Sequence, residues 1–241
     1  MRGIILSGGS GTRLRPLTKI TSKQLLPVYH RPMIYYPLNT LIKAGIKEIL
    51  IIVAPERAGD YLNLLGSGKE FGVKFTYEIQ DKPEGLAQAF IIGENFIDQE
   101  DVVMILGDNI FEDDFSDEIK SFKGGAKIFA KQVTDPERFG VVKFDENKKA
   151  QKIVEKPKEF LSDYAVTGLY VYDKRVISVA KEMKASDRGE LEITDVNNWF
   201  LAKDELTVAE VKGEWLDAGT FDSLLKAQSI AKEKLADKMV I

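Results

Sequence analysis

The 241-residue sequence contains no cysteine and a single histidine, His30. The absence of cysteine excludes disulfide bonds, thiolate nucleophiles and cysteine-ligated zinc. His30 lies in a predicted turn before Arg31 and Pro32, apart from any cluster of reactive side chains, and we assign it no role. The chemistry of this protein must therefore rest on other groups, such as carboxylates, lysines, arginines and the backbone.

Long apolar runs at the N-terminus and a strong net charge are also missing. Residues 1–6 are followed by Ser7 and two glycines, so the apolar stretch is too short for a signal peptide or a membrane span. We take Met1 as the native start. The formal net charge of -4 provides no field that would gather a nucleic acid or an anionic membrane. We expect a cytoplasmic protein that binds neither, and an anionic substrate would have to be met by locally placed lysines and arginines.

The first half of the chain alternates short apolar runs with amphipathic stretches. The runs at 3–6, 49–53, 73–77 and 102–106 predict strands that are buried on both faces. The stretches at 34–44, 61–65 and 86–96 predict helices, the first two closed by Gly45 and Gly66. This alternation predicts a three-layer α/β/α sandwich with a mostly parallel, Rossmann-like mixed central sheet, which binds ligands at the carboxyl ends of its strands.

From about residue 125 the predicted strands lie closer together, at 126–132, 140–144, 153–155 and 165–172. Helical patterns return at 174–183, 194–202 and 221–234. No linker rich in proline, glycine or serine separates the two parts. We therefore predict one domain over residues 1–241, with substrate-binding elements in its second half.

The glycine-rich segment after the first predicted strand is the strongest sign of phosphate binding. It reads Gly8-Gly9-Ser10-Gly11-Thr12-Arg13. Such a loop lets backbone N–H groups approach phosphate oxygens, and Arg13 adds a planar donor. A Walker A loop would need a Gly-Lys-Ser/Thr ending that is absent here, and a dinucleotide fingerprint would need glycine where Leu14 stands. The remaining alternative is a tight turn that binds nothing.

Three further charged residues suggest a metal and phosphate site. Lys23 is a compact cation within plausible reach of the same phosphates, although a lone surface lysine is usually only solvated. Asp108 follows an apolar strand and Gly107, so its carboxylate should project at the carboxyl edge of the sheet. Asp217 offers a second carboxylate, and two hard oxygen ligands completed by phosphates and water suit Mg²⁺. Each aspartate alone is more often a turn or cap residue.

Several blocks along the chain resemble the sugar nucleotidyltransferase family, most closely its glucose-1-phosphate thymidylyltransferase branch. The blocks cover residues 8–14, 22–27, 32–37, 80–89, 106–109, 155–157 and 215–217. They lie in register over essentially the whole chain, which is far more specific than one glycine loop. The resemblance implies transfer of a thymidylyl group from dTTP to glucose 1-phosphate, giving dTDP-glucose and pyrophosphate, with Mg²⁺ as cofactor and a homo-oligomeric enzyme.

The resemblance also implies roles for particular residues. Asp108 and Asp217 would hold the metal, and Arg13, Lys23 and Lys156 would be catalytic. The nucleotide would be bound mainly within about residues 1–124, by Leu6, Gly8, Gly9, Ser10, Gly11, Thr12, Arg13, Lys23, Gln24, Gln80, Gly85, Leu86 and Asp108. The sugar phosphate would be bound mainly within about 125–241, by Asn109, Gly140, Glu155, Lys156, Val166 and Arg188. Gln80 would pair with the pyrimidine base through its amide, and Arg188 is suited to a bidentate phosphate grip. For Val166, packing in a core strand is an equal alternative.

Other functions stay open at this level. Thymine and uracil share the pairing edge that an amide reads, so UTP, or another sugar 1-phosphate, is an alternative substrate. A binding protein without turnover is disfavoured because it would not need the full set of Arg13, Lys23, Asp108, Lys156 and Asp217. A dehydrogenase is disfavoured by the failed glycine fingerprint. The sequence ends at Ile241, whereas longer relatives continue with a helical region, so we expect weak or absent feedback regulation.

Overall fold

The computed structural model describes residues 1–147 and 149–241. The strands are β1 (Arg2–Ser7), β2 (Pro27–Val28), β3 (Arg31–Pro32), β4 (Glu48–Val53), β5 (Lys74–Ile79), β6 (Val102–Leu106), β7 (Asn109–Phe111), β8 (Ala126–Gln132), β9 (Gly140–Phe144), β10 (Ala150–Glu155), β11 (Tyr164–Tyr172), β12 (Leu206–Glu210) and β13 (Trp215–Asp217). The helices are α1 (Tyr35–Lys43), α2 (Ala58–Leu65), α3 (Gln88–Ile92), α4 (Glu94–Ile97), α5 (Ser116–Lys120), α6 (Val176–Glu182), α7 (Ile193–Ala202) and α8 (Phe221–Ile230).

One mixed sheet forms the middle layer. Within the described residues it has nine strands, in the order β10-β9-β11-β6-β1-β4-β5, with β8 beside β11 and β12 beside β8. Strands β6, β1, β4 and β5 are mutually parallel, whereas β11 runs antiparallel to β6 and β8. The predicted sandwich with a mixed, Rossmann-like sheet is confirmed. Since β11 pairs with β6, strands from both parts of the chain belong to the same sheet.

Alternate residues of the central strands point into two separate apolar layers. Ile4 packs with Phe90 and Phe200, from α3 and α7. Its neighbour Ile5 packs with Leu38 and Tyr61, from α1 and α2. Both faces of the strand are therefore covered by helices, which explains why these strands read as continuous apolar runs rather than as an alternating pattern.

A third apolar cluster lies beside the glycine-rich segment. It joins Leu14 to Ile110 of β7, Leu216 of β13 and Leu224 of α8, all of them buried. α8 is started by Thr220 and Ser223, whose side chains each bond the backbone N–H of the other. This cluster anchors the chain directly after Arg13 and so fixes the backbone from which that side chain extends.

Two glycines predicted to end helices do so. After α1, Gly45 adopts a φ of 85°. Its N–H donates to the carbonyl of Ile42 at 2.9 Å, and the N–H of Ile46 donates to the carbonyl of Leu41 at 3.1 Å. This is the Schellman arrangement, which requires a left-handed residue. Gly66 closes α2 with a φ of 55°, and its N–H donates to the carbonyl of Leu62.

The structure differs from the sequence prediction in several elements. The helix predicted at 86–96 is divided into α3 and α4 at Gly93, where a Cβ would lie 3.0 Å from Leu50 of the sheet. The helix predicted at 221–234 ends at Ile230 and continues as a π-helical turn, Ala231–Leu235. The short strands β7 and β13 and helix α5 were not predicted, because three to five residues carry no readable periodicity. Among the described residues, no helix combines the length and apolar character needed to traverse a bilayer.

We expect Phe200→Ala to destabilise the protein strongly. Phe200 is fully buried and its ring lies 5.7 Å from that of Tyr172 and 4.9 Å from that of Trp199. Removing such a ring costs about 3–5 kcal/mol of unfolding free energy. Phe160, which is 81% exposed, provides the matched control, and Phe160→Ala should change stability by less than about 0.5 kcal/mol. Denaturant unfolding followed by circular dichroism measures both; equal losses would contradict the assigned core.

Candidate active site

A cleft of about 310 Å³ opens at the carboxyl ends of β1, β5 and β6, as expected for an open α/β sheet. Its volume lies within the range of small-molecule sites. Sixteen positions predicted from the sequence line it: Leu6, Gly9, Arg13, Lys23, Gln24, Gln80, Gly85, Leu86, Asp108, Asn109, Gly140, Glu155, Lys156, Val166, Arg188 and Asp217. The fold thus brings together side chains that the sequence spreads over more than 200 positions.

Four predicted nucleotide-binding positions do not line the cleft wall. Gly8 is buried against Gln80, and a Cβ there would overlap Gln80 Oε1. Gly11 has a φ of 60°, and its carbonyl accepts a hydrogen bond of 2.7 Å from Thr18 Oγ1. Ser10 and Thr12 are exposed on the loop. Gly8 and Gly11 therefore shape the loop, and Gly9 is the residue between them that lines the cleft.

The two predicted metal carboxylates are neighbours. Antiparallel pairing of β7 with β13 sets Asp217 opposite Asn109, and the N–H of Ala218 donates to the carbonyl of Asp108 at 3.0 Å. Lys23 Nζ donates to Asp108 Oδ2 in a close ion pair. A Cβ at Gly219 would lie 2.9 Å from Arg13 Nη2 and 3.0 Å from Asp217 Oδ1. Two carboxylates and two cations therefore meet at one end of the cleft.

The two carboxylates at this end of the cleft have pKa values shifted in opposite directions. Burial alone would raise the pKa of Asp108, but the charge and hydrogen bond of Lys23 outweigh it and the pKa is lowered. Burial would likewise lower the pKa of Lys23, and Asp108 reverses that shift. Burial, and then the charge of Asp108, raise the pKa of Asp217 to about 6 in spite of Lys23 and Arg13. Asp217 thus lies in a site that needs more positive charge.

This donor set fits a hard divalent cation. Both side chains offer carboxylate oxygens, the ligands that Mg²⁺ prefers. A cation between them would offset the burial and the repulsion by Asp108 that together raise the pKa of Asp217. In the described part of the chain, no group of three or more histidine, aspartate or glutamate side chains is placed to hold a metal. A cation at Asp108 and Asp217 would therefore complete its coordination with substrate oxygens and water, as is common for Mg²⁺.

A second wall of the cleft, around Glu155, carries most of the predicted sugar-phosphate residues, whereas Asn109 lies beside Asp108. Arg188 is surrounded by carboxylates: its Nη2 lies 2.8 Å from Glu192 Oε1 and 3.2 Å from Glu155 Oε1. The hydrogen bond with Glu192 is the main reason why the pKa of Arg188 is raised. Glu155 also accepts a hydrogen bond of 2.7 Å from Thr194 Oγ1. To bind a phosphate through two hydrogen bonds, as predicted, Arg188 would therefore have to release some of its bonds to Glu192 and Glu155.

Lys156 follows β10 in an uncommon backbone conformation. Its φ is 43°, a left-handed value that few residues other than glycine adopt. The N–H of Lys156 donates to the carbonyl of Phe139 at 2.9 Å, and its half-exposed side chain lines the cleft. Such local strain persists where the surrounding structure enforces it, and it is concentrated at functional sites.

The loop that carries Gly85 ties the two walls together. Gly85 has a φ of 108°, and a Cβ there would overlap the backbone of Leu191. The N–H of Leu191 donates to the carbonyl of Glu84 at 2.7 Å, and the N–H of Ala87 donates to the carbonyl of Leu191 at 3.1 Å. Only glycine fits this approach, which joins the loop before α3 to the segment before α7.

Two of the buried amides that line the cleft, Asn109 and Gln24, accept two hydrogen bonds each through their side-chain oxygens. Asn109 Oδ1 accepts from the N–H of Gly168 at 2.9 Å and from Trp215 Nε1 at 2.7 Å. Its Nδ2 donates to Asp108 Oδ1 at 3.2 Å. Gln24 Oε1 accepts from Ser22 Oγ at 2.6 Å and from Tyr61 at 3.2 Å. Asn109 therefore joins β7, β11 and β13 in addition to any contact with substrate.

Some cleft residues were missed by the sequence analysis. Arg138, Phe139, Glu192, Thr194 and Trp215 all line the cleft. Arg138 stands two residues before the predicted Gly140, and its charge opposes the rise in the pKa of Asp217. A cation so close to a predicted site residue was a usable signal. Thr194 and Glu192 gave no signal, because their role depends on contacts with Glu155 and Arg188 from other elements.

With this geometry in place, the chain can be compared with known proteins. The model of the family described as nucleotidyl transferase matches residues 2–234. A glucose-1-phosphate thymidylyltransferase of Neisseria meningitidis is 53% identical over 239 residues, which is 96% of this chain and 83% of the relative. An enzyme of the same name from Mycobacterium tuberculosis is 50% identical over 237 residues, 96% of this chain and 82% of the relative.

Solved structures agree. A Bacillus anthracis crystal structure, provisionally assigned as a glucose-1-phosphate thymidylyltransferase and bound to sucrose, superimposes with a TM-score of 0.92 at 52% identity, covering 97% of this chain and 96% of the other. UDP-glucose pyrophosphorylase with UDP-glucose gives a TM-score of 0.85 at 23% identity over 97% and 98% of the chains, a likeness of fold alone. By the family match, by its relatives and by its structure, the chain belongs to the nucleotidyl transferase family.

Proposed function

We propose that the protein transfers a thymidylyl group from dTTP to glucose 1-phosphate, producing dTDP-glucose and pyrophosphate. The observation that carries the proposal is one cleft that holds cations at two separate places. Arg13 and Lys23 lie beside the carboxylate pair at one end, and Lys156 and Arg188 lie beside Glu155 on the second wall. Two phosphate-bearing substrates can be held at such a site, and the relatives at 50–53% identity carry the name of this activity.

The reaction needs no side-chain nucleophile. A phosphate oxygen of glucose 1-phosphate, already anionic, attacks the α-phosphorus of dTTP, and the bond to the bridging oxygen of pyrophosphate breaks. Catalysis then consists of alignment and charge neutralisation. Lys156 and Arg188 hold the attacking phosphate, and Arg13 and Lys23 neutralise the departing pyrophosphate.

Mg²⁺ is the cofactor that we propose for this site. Asp108 and Asp217 would hold it, and the bound ion would supply positive charge to the phosphate oxygens of the nucleotide. The raised pKa of Asp217 supports this assignment, because a cation there would favour the ionised carboxylate. The ion pair of Lys23 with Asp108 keeps the first carboxylate ionised.

We further propose that residues 1–124 bind mainly the nucleotide and 125–241 mainly the sugar phosphate, in a cytoplasmic homo-oligomer. Two apolar side chains one turn apart on α8, Phe221 and Leu225, are 47% and 67% exposed and support a contact between copies. The lack of cysteine fits a reducing compartment.

The activity can be tested with a substrate panel. Purified protein is assayed for pyrophosphate release with dTTP, UTP, dCTP and ATP, each combined with several sugar 1-phosphates. We expect the highest kcat/KM for dTTP with glucose 1-phosphate. Against dUTP, added to the panel because it lacks only the C5 methyl group, the preference should stay below roughly 200-fold, whereas UTP differs at the 2′ position as well. A higher kcat/KM for UTP, or release with no pair, would contradict the proposal.

We expect Asp108→Asn and Asp217→Asn each to lower kcat by about 100-fold or more at saturating Mg²⁺, because each removes a carboxylate that serves the transferring phosphate. Asp98→Asn is the control: Asp98 is exposed, and its left-handed φ of 53° suits asparagine. Thermal melting establishes that the variants are folded. Wild-type turnover by either folded cleft variant would count against the assigned metal site.

Lys156→Gln should reduce kcat/KM for glucose 1-phosphate by about 100-fold while leaving the KM for dTTP nearly unchanged, because the lost charge serves only one substrate. Lys158→Gln, an exposed change two residues further along, should have no effect. Steady-state kinetics with each substrate varied in turn separate the two parameters. Equal effects on both substrates would refute the assignment of Lys156 to the sugar phosphate.

A further inference from the structure

A chain of hydrogen bonds runs from the cleft to the surface through three side chains. Gln80 Nε2 donates to Gln88 Oε1 at 2.6 Å. Gln88 Nε2 donates in turn to Glu84 Oε2 at 2.8 Å. The backbone N–H of Glu84 also donates to Gln88 Oε1, at 3.2 Å. We call Glu84, Gln88 and Gln80 the amide relay.

The polarity of the amide relay follows from its outer end. A carboxylate only accepts hydrogen bonds, so Gln88 must turn its NH₂ group towards Glu84. A backbone N–H only donates, so the oxygen of Gln88 must face the backbone of Glu84. Both constraints require the same orientation of Gln88, and it then presents an acceptor to Gln80. Gln80 must therefore donate to this acceptor through its NH₂ group, which leaves its oxygen on the side of the amide that faces away from Gln88.

The oxygen of Gln80 lies at the cleft. Gln80 is 3% exposed and lines the cleft, with Oε1 against the α-carbon of Gly8, where a Cβ would overlap it. Gly8 follows β1 directly and belongs to the loop that we assign to the nucleotide. The acceptor of Gln80 is thus fixed beside the start of the glycine-rich loop that we assign to the nucleotide.

The elements that carry the amide relay are held firmly. Gln88 is the first residue of α3, and Glu84 belongs to the loop that Leu191 holds by two backbone hydrogen bonds. The N–H of Gln80 donates to the carbonyl of Val53 at 2.9 Å. A hydrogen-bonding pattern that is fixed on rigid elements can discriminate strongly between ligands, because a wrong ligand leaves buried polar groups unpaired.

We propose that Gln88 is a positioning residue that sets the base specificity of the site. By holding the oxygen of Gln80 towards the cleft, it favours a base whose pairing edge offers a ring N–H donor, as thymine and uracil do. Cytosine, whose ring nitrogen at the same place is an acceptor, is rejected because two acceptors would face each other. The inference rests on the proposed function in that the ligand is a pyrimidine nucleotide.

Gln88→Met tests the amide relay, because methionine keeps the length of the side chain but offers Gln80 no strong acceptor. The amide of Gln80 is then free to turn over and present its NH₂ group to the base. We expect the ratio of kcat/KM for dTTP to that for dCTP to fall by about 10- to 100-fold, largely through improved use of dCTP. A purely structural role of Gln88 would lower both values together and leave the ratio unchanged.

A double exchange, Glu84→Gln with Gln88→Glu, serves as the matched control. It keeps the net charge, and the new amide at position 84 can donate to the new carboxylate at position 88, which still accepts from Gln80. The wild-type ratio should therefore be retained. An unchanged ratio in Gln88→Met, or a ratio in the double variant as low as that of Gln88→Met, would overturn the proposal.

Binding measurements separate this inference from the proposed function. Calorimetric affinities for dTTP and dCTP, taken without sugar phosphate, give the same ratio independently of turnover. Wild-type protein that prefers dTTP in binding but releases no pyrophosphate would refute the proposed reaction. The role of Gln88 in base specificity would then be decided by the dTTP to dCTP binding ratios of the variants. Wild-type protein that binds dCTP as tightly as dTTP would refute the proposed role of the amide relay in base specificity.

Discussion

The buried ion pair of Lys23 and Asp108 is the interaction on which the cleft depends. A buried charge is costly unless a partner compensates it, and each of these two side chains is kept ionised by the other. Asp108 is brought there by the end of β6, where Gly107 packs so closely on Ser7 that a Cβ would overlap Ser7 Oγ. Lys23 is supplied by a 3₁₀ turn from another part of the chain. Asp217 then joins an end of the cleft where Lys23 is already engaged by Asp108, and where Arg13 lies close by.

The surrounding structure keeps this end of the cleft in place. The β7–β13 pair carries Asp217 to Asp108, and it is held from one side by the apolar cluster of Leu14, Ile110 and Leu216. From the other side, Asn109 bonds the backbone of Gly168 in β11 and the indole of Trp215 in β13. A pair of three-residue strands has little stability alone, so packing and buried hydrogen bonds must position it.

The two walls of the cleft are connected rather than independent. Leu191 bonds the loop of Glu84 and Ala87, and it stands three residues after Arg188 and one before Glu192. The amide relay begins in that loop, while Glu192, which binds Arg188, directly follows Leu191. The segment around Leu191 therefore carries part of one wall and binds the loop that carries part of the other.

The sequence alone determined the central strands, the helix ends at Gly45 and Gly66, and the glycine-rich loop. These features depend on contiguous patterns, in which each residue constrains its near neighbours, so they can be read locally. The sequence also predicted cleft positions for Arg13, Lys23, Asp108, Lys156 and Asp217, because each lies in a recognisable block.

Only the tertiary structure decided what those residues touch. The bond between Asn109 and Trp215 spans 106 positions, and the short strands that carry them lack a periodic pattern. The helix is divided at Gly93, where a Cβ would lie 3.0 Å from Leu50 of a distant strand, a contact that the local pattern does not reveal. The carboxylates around Arg188 and the orientation of the Gln80 amide likewise depend on partners from other elements. Local pattern fixes which elements form, whereas the partners of a side chain are set by the packing of distant segments.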